Sequence, residues 1–455
     1  MSSQIYITNA FVVNEGQIFK ADVTVKDGLI NEILPHTPGS DNTKKNFFIT
    51  FSQVINAEGL YLLPGVIDCH VHFREPGLTH KADIFSESKA AVAGGVTSYM
   101  DMPNTFPQAT TLEILENKFH IASQKSLANY SFFLGATNDN IDAIARTDPH
   151  LVCGVKVFMG SSTGHMLVDN THTLNKIFEL NHILVAAHCE DEGIIRSNIE
   201  KYKRTVGEDL PVEYHPLIRN KEACYASSKL AVALAKKYNT RLHILHVSTR
   251  DELRLFQNDI PLIQKRITSE ACVHHLIFNK SDYKRSGRLI KVNPAIKNKT
   301  DQNALIRALK TGLIDIVSTD HAPHTYEEKQ QPYFKSASGA PMIQHSLQAM
   351  IGLYHRRLIS LPDIVNKMCH APADCFRIEK RGYIRKGYHA DLVLVDINAP
   401  VKVNYDNILY KCGWSPLVGE VLPAKITHTF VNGHMVYENG VFYNTPKGQR
   451  LLFDK

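Results

Sequence analysis

The chain has 455 residues and a mass of 51.2 kDa, with 44% hydrophobic and 21% charged residues. This excludes a disordered, collagen-like or coiled-coil chain, and it leaves ample length for a large core. The net charge of +6 comes from scattered basic residues rather than a stripe, so no nucleic-acid partner is expected. Histidine, the commonest metal ligand, is plentiful at 23 against a single Trp. Eight cysteines without a CxxC pair predict free thiols in a reducing, cytoplasmic setting. The N-terminus lacks the pattern of a secretory signal, and no run of 18 apolar residues predicts a membrane span.

The first sixty residues read as strands and turns. Ile5–Thr8, Phe11–Val13, Asp22–Val25 and Leu29-Ile30 are β-rich runs separated by the turn dipeptides Glu15-Gly16 and Asp27-Gly28. The middle alternates apolar runs with helical patterns. The runs are Val66–His72, Ser98–Pro103, Phe132–Thr137, Gly154–Met159, Ile183–His188, His243–Val247, Ile267–Glu270 and Asp315–Asp320. Between them, Ile84 to Val92 is helical and stops at Gly94-Gly95, and Leu230, Ala233, Leu234 and Tyr238 share a helical face. The C-terminus returns to β texture, with Ala390–Val395 and hairpin signals at Asn432-Gly433 and Asn439-Gly440. Eight strands alternating with helices predict an α/β chain folded as a (β/α)8 barrel. A doubly wound open sheet is the alternative, but no Gly-rich phosphate loop follows the first run. The expected domains are residues 63–382 for the barrel and 1–62 plus 383–455 for a small β-rich unit built from both ends.

Nearly every barrel run ends in a group able to bind metal or substrate. His70 and His72 point to the same side of a strand and can grip one ion. Lys156, His188, His246 and Asp320 stand at or near four other run ends. Singly, each has a bland explanation: an incidental His-x-His, a snorkelling or ion-paired lysine, an ion-paired strand end at His188 with Glu190 and Asp191, a core histidine, a helix cap. Jointly they predict one site at the barrel mouth. Burial would favour the neutral amine of Lys156, and a neutral amine can take up carbon dioxide as a carbamate able to bridge two metals.

The segments Asp68–Gly77, Met102–Thr105, Ala187–Glu190, Asn293-Pro294 and Ser318–His324 closely resemble dihydroorotases of the amidohydrolase superfamily, over almost the whole chain. The resemblance implies two divalent ions, usually zinc, with His70, His72 and Asp320 on the first and His188 and His246 on the second. Lys156 as its N6-carboxylated form would bridge them. Many relatives with the Arg-Glu-Pro-Gly version carry Asp at the bridging place, where this chain has Lys156. The implied reaction is the reversible cyclisation of N-carbamoyl-L-aspartate to L-dihydroorotate in pyrimidine synthesis, by a metal-bridged hydroxide with Asp320 as general acid and base. Arg74, two residues past His72, is placed to pair with the substrate carboxylate. Asn104 and His324 resemble further carboxylate contacts; Asn293 and the Ala340-Pro341 backbone resemble ring contacts. Dihydropyrimidinase, hydantoinase and allantoinase are the rival activities, a metal-free scaffold the rival class, and a homo-oligomer the family-level expectation. The loops Ser161–His165 and Tyr326–Gly339 are polar and expected near the mouth.

Overall fold

The computed structural model describes residues 4–36, 51–160, 166–443 and 448–454. Its N-terminal strands are β1 (Gln4–Asn14), β2 (Gln17–Lys26), β3 (Leu29–Pro35), β4 (Gln53–Asn56) and β5 (Tyr61–Pro64). The two runs expected at residues 5–8 and 11–13 form one strand, β1, with a bulge between Ile7 and Ala10 where Asn9 takes φ +62. The C-terminal β14 (Leu392–Asp396), β15 (Val401–Lys402), β16 (Val421–Leu422), β17 (Lys425–Val431), β18 (His434–Glu438) and β19 (Val441–Phe442) follow the barrel. One sheet joins both ends in the order β19-β18-β17-β14-β5-β1-β2-β3, with β4 paired to β1. The Asn432-Gly433 and Asn439-Gly440 turns form the β17–β18 and β18–β19 hairpins.

Eight parallel strands make the second sheet: β6 (Val66–Val71), β7 (Val96–Asp101), β8 (Asn129–Gly135), β9 (Gly154–Phe158), β10 (Val185–His188), β11 (Leu242–Ile244), β12 (Ile267–Cys272) and β13 (Ile316–Ser318). Each coincides with one of the eight apolar runs. The first and last strands meet through the His72 N–H, which donates to the His321 carbonyl at 2.7 Å, and a Val71–His321 bridge. The chain is thus an α/β barrel, and such barrels carry their chemistry at the C-terminal ends of the strands.

The lower interior is apolar: Ile67, Cys69, Met100, Phe133, Ala186, Leu245 and Ile316 pack with Phe376 and Phe453 beneath them. Outward-facing Val71, Phe132, Leu134, Val157 and Ile244 pack on the helices instead. A register shift between Asp68 and Val71 adds one residue to β6. That bulge lets Ile67 and Cys69 fill the barrel while His70 and His72, on the opposite parity, still turn into its mouth. Helix Ile84–Ala93 begins at an Asp83 capping box and stops at Gly94, as expected. Helix Lys221–Tyr238 corrects the expected face. Of the four residues expected on one face, Leu234 is buried and Tyr238 half-buried, but Leu230 is 47% exposed and Ala233 exposed; the rest of the buried stripe is Ala223, Cys224, Ser227, Ser228, Ala231, Val232 and Ala235. Among the described residues no helix is long and apolar enough to cross a membrane, and all eight cysteines are free thiols.

Candidate active site

A cavity of about 350 Å³ opens at the C-terminal ends of the barrel strands. Ten of the eleven expected residues line it: His70, His72, Arg74, Asn104, Lys156, His188, His246, Asn293, Asp320 and His324. Ala340 does not line it. It lies buried one residue beyond the wall residue Gly339, and its carbonyl accepts the Ala322 N–H at 3.0 Å. Of the two polar loops, Ala337 to Gly339 form part of the wall. Ser161–His165 lies outside the described residues.

Two imidazoles and a carboxylate converge on one side. His70 Nε2 and His72 Nε2 stand 3.3 and 3.1 Å from Asp320 Oδ1. Their other nitrogens are committed: His70 Nδ1 donates to Glu270 Oε1 at 2.6 Å, and His72 Nδ1 donates to Asn104 Oδ1 at 2.7 Å. With the proton on Nδ1, each Nε2 is a bare lone pair aimed at an anionic oxygen. Burial also holds His72 down to about 4, hence neutral. Three acceptors with no proton between them fit a cation, and acceptors on the far nitrogens are what metal-binding histidines require. Asp320, lowered well below the usual carboxylate range against the penalty of burial, is the anionic member of that set.

On the other side, His188 Nδ1 faces His246 Nε2 at 2.8 Å, while His188 Nε2 donates to Glu190 Oε2 at 3.1 Å. Glu190 is itself bound by Arg219 at 2.5 Å, so the ion-paired strand end is real and orients a site histidine. Asp191 caps the next helix. Between the two groups, Lys156 is 1% exposed, with Nζ 4.6 Å from the Phe158 ring and no carboxylate within 4 Å among the described residues. It neither snorkels nor pairs. Burial pulls its ammonium down to about 8, against the attraction of Asp320 and Glu270. The donor set of imidazoles, carboxylate and an amine brought towards neutrality suits divalent metals of the zinc type.

The wall opposite is cationic. Arg74 is 6% exposed, and its guanidinium donates to the Pro323 carbonyl at 3.0 Å and to His324 Nε2 at 3.1 Å. No carboxylate lies within 4 Å of it among the described residues, and burial lowers its pKa to about 10. His324 is neutral, pushed to about 3 by burial and by Arg74. Its Nδ1 faces Lys81 Nζ at 3.2 Å and Glu328 Oε2 at 3.3 Å. Arg74, His246 and Asp320 all adopt left-handed φ, at +67°, +39° and +45°. Backbone held there by non-glycine residues concentrates at functional sites.

Sequence reasoning missed Glu270, Lys81 and Glu328. Glu270 ends one of the apolar runs, so the signal that singled out the other run ends applied to it too. Lys81 and Glu328 sit in loops and carry no local signature.

A model of the amidohydrolase family matches residues 61–436. The chain is 30% identical to the dihydroorotase of Pyrococcus abyssi, over 99% of this chain and 98% of that one. It is 31% identical to the dihydroorotase of Lactobacillus johnsonii, over 95% and 99%. Among solved structures it resembles the L-hydantoinase (dihydropyrimidinase) of Arthrobacter aurescens, with a TM-score of 0.89, 26% identity and coverage of 99% and 100%. The dihydropyrimidinase of Brevibacillus agri shares the fold at a TM-score of 0.84 and 23% identity, over 99% and 100%. The chain belongs to the amidohydrolase family and is a hydrolytic cyclic amidohydrolase.

Proposed function

We propose that this enzyme is a dihydroorotase of pyrimidine synthesis, interconverting N-carbamoyl-L-aspartate and L-dihydroorotate. The observation that carries this reading is Arg74, a buried guanidinium on the cavity wall with no carboxylate partner among the described residues. Dihydroorotate carries a carboxylate beside its ring; hydantoin, dihydrouracil and allantoin do not. The relatives in Pyrococcus and Lactobacillus, both described as dihydroorotases, support the same choice.

His70, His72 and Asp320 would hold one divalent cation and His188 and His246 a second, with a carbamate on Lys156 between them. We take the ions to be zinc. When bound, such ions polarise the amide carbonyl and bring the pKa of water from 15.7 to about 7. The remaining work falls to the chain. Arg74 anchors the ring-side carboxylate through its planar fork of donors, with His324 and Asn104 beside it. Asn293, on the cavity wall, orients the ring. In the hydrolytic direction a water oxygen attacks the ring carbonyl carbon and the ring C–N bond breaks. Asp320, ionised and at the cavity surface, accepts the proton of that water and passes it to the departing nitrogen. Ring closure runs the same transfers backwards.

The test compares dihydroorotate, dihydrouracil, hydantoin and allantoin on purified, metal-loaded enzyme. A kcat/KM for dihydroorotate about 100-fold or more above the others is expected. A preference for any of the carboxylate-free amides overturns the assignment.

A further inference from the structure

Behind the cavity wall lie two buried lysines that make no ion pair among the described residues. Lys329 Nζ donates to the carbonyls of Lys291, Ala337 and Gly339 at 3.0, 2.9 and 2.8 Å. Lys291 Nζ donates to the carbonyls of Tyr333 and Ser336 at 2.8 and 2.5 Å. An ammonium without an anion is costly to bury. Burial accordingly pulls Lys291 down to about 8 and Lys329 well below the ordinary lysine range; Arg219 and Arg288 add repulsion at Lys291, and Lys291 adds it at Lys329. Three carbonyl acceptors around Nζ match the three donors of an ammonium, and this bonding opposes the loss of the proton that burial favours. Four of the five bonds land on the main chain between Tyr333 and Gly339, the segment whose Ala337, Ser338 and Gly339 form the cavity wall.

This bonding fixes the direction of a peptide. In a trans peptide the carbonyl and the following N–H point opposite ways. Drawing the Ala337 carbonyl back onto Lys329 therefore turns the N–H of Ser338, a residue of the cavity wall, to the side away from the lysine. That N–H has no acceptor among the described residues. Gly339 holds the chain close to the strand end: at φ +144 a Cβ would stand 2.5 Å from the Ala322 carbonyl. Its N–H donates to the Lys291 carbonyl at 2.9 Å, tying the wall to the first lysine as well.

We propose that Lys329, backed by Lys291, is a positioning residue for substrate binding: it pins the 337–339 wall so that the Ser338 N–H becomes a fixed donor to an oxygen of the bound cyclic amide. The proposal requires only that the cavity receive a cyclic amide, whichever one that is. The test uses the metal-loaded enzyme and whichever of dihydroorotate and dihydrouracil the wild type opens. Lys329→Met should raise KM about tenfold, the loss of one well-made contact, with kcat changed less than about threefold. Ser338→Pro deletes the N–H at a partly exposed position, keeps the Ala337 carbonyl that Lys329 binds and both lysine side chains, and should raise KM by the same factor, so the test stands even where Lys329→Met does not fold. An unchanged KM in Ser338→Pro, or a Lys329→Met enzyme that loses kcat at unchanged KM, overturns the proposal. If only dihydrouracil is opened, the substrate assignment above fails while Lys329 is judged by the same KM criterion.

Discussion

Replacing Glu270 by Gln keeps the shape of the side chain and removes its charge. Glu270 Oε1 accepts the Nδ1 proton of His70 at 2.6 Å and the His246 N–H at 3.2 Å, and Oε2 faces His243 Nε2 at 3.2 Å. An amide in the same place retains one acceptor oxygen, which can serve His70 and His246. Its NH2 then meets His243. That ring can answer by carrying its proton on Nδ1 instead, because Thr268 Oγ1 lies 2.8 Å away and can accept. The fold should therefore survive. What is lost is the charge-assisted bond to His70: about 1.5–3 kcal/mol falls to about 0.5–1.5 kcal/mol for a neutral pair. The difference of about 1–1.5 kcal/mol corresponds to about tenfold in cation affinity at His70, and orienting partners of metal-bound histidines typically matter by about 10- to 100-fold. Chelator competition with zinc on the metal-free protein, alongside thermal melting, measures this. An intact Glu270→Gln protein that binds zinc within about twofold of wild type would refute the reasoning that Glu270 bares the Nε2 of His70.

Asp320→Asn should fold and lose turnover by about 10²- to 10⁴-fold, because the amide cannot accept the proton; near-normal turnover removes Asp320 from that role. Arg74→Lys keeps the charge but not the fork, and its KM for dihydroorotate should rise about tenfold with a smaller change in kcat; unchanged saturation argues against the carboxylate contact. In the terminal sheet, Asp22 accepts from Tyr6 Oη at 2.5 Å, from the Asn9 N–H at 2.8 Å and from His36 at 2.7 Å. Burial works against its charge, yet those donors hold its pKa below the ordinary aspartate value. A carboxylate depressed in the folded state contributes stability above its unfolded pKa of about 3.9, and that contribution disappears as pH falls through the folded value. Asp22→Asn should therefore melt lower at neutral pH and lose less stability than wild type on acidification below about pH 4. Parallel melting curves for the two proteins would contradict it.

The eight barrel strands were legible because parallel strands buried on both faces read as unbroken apolar runs, and their polar ends marked the mouth. The site was legible for the same reason: each run fixes where its terminal His, Lys or Asp must emerge. Local pattern failed where tertiary contact decides. Nothing in Val66–His72 announces the extra residue that lets Cys69 and His70 both turn inward. Leu230 and Leu234 share one helical face by spacing, yet only Leu234 is buried. Glu270 acts through His70, His243 and His246, none of them its neighbours in sequence. Ala340 was expected against the ring, but the Ala322 N–H already occupies its carbonyl and Gly339 forms the wall in its place.

The charges around the cavity bear on substrate choice. The carboxylates around the cavity are accounted for: Glu270 is engaged by His70 and His243, Glu190 by His188 and Arg219, and Asp320 belongs to the acceptor set with His70 and His72. Arg74 is not, and its two contacts are a carbonyl and a neutral imidazole, which leave its positive charge uncompensated. On the proposed reading the substrate carboxylate supplies the missing charge. A cyclic amide without that group leaves the guanidinium buried and unpaired in the complex, and a loss of this kind separates substrates far more sharply than a change of ring size does. Sites built around a polar partner reject analogues lacking it by about 10⁴- to 10⁵-fold, against about 10- to 200-fold for a methylene. The ordering of dihydroorotate over dihydrouracil should therefore collapse in Arg74→Met, through loss of the first substrate rather than gain of the second.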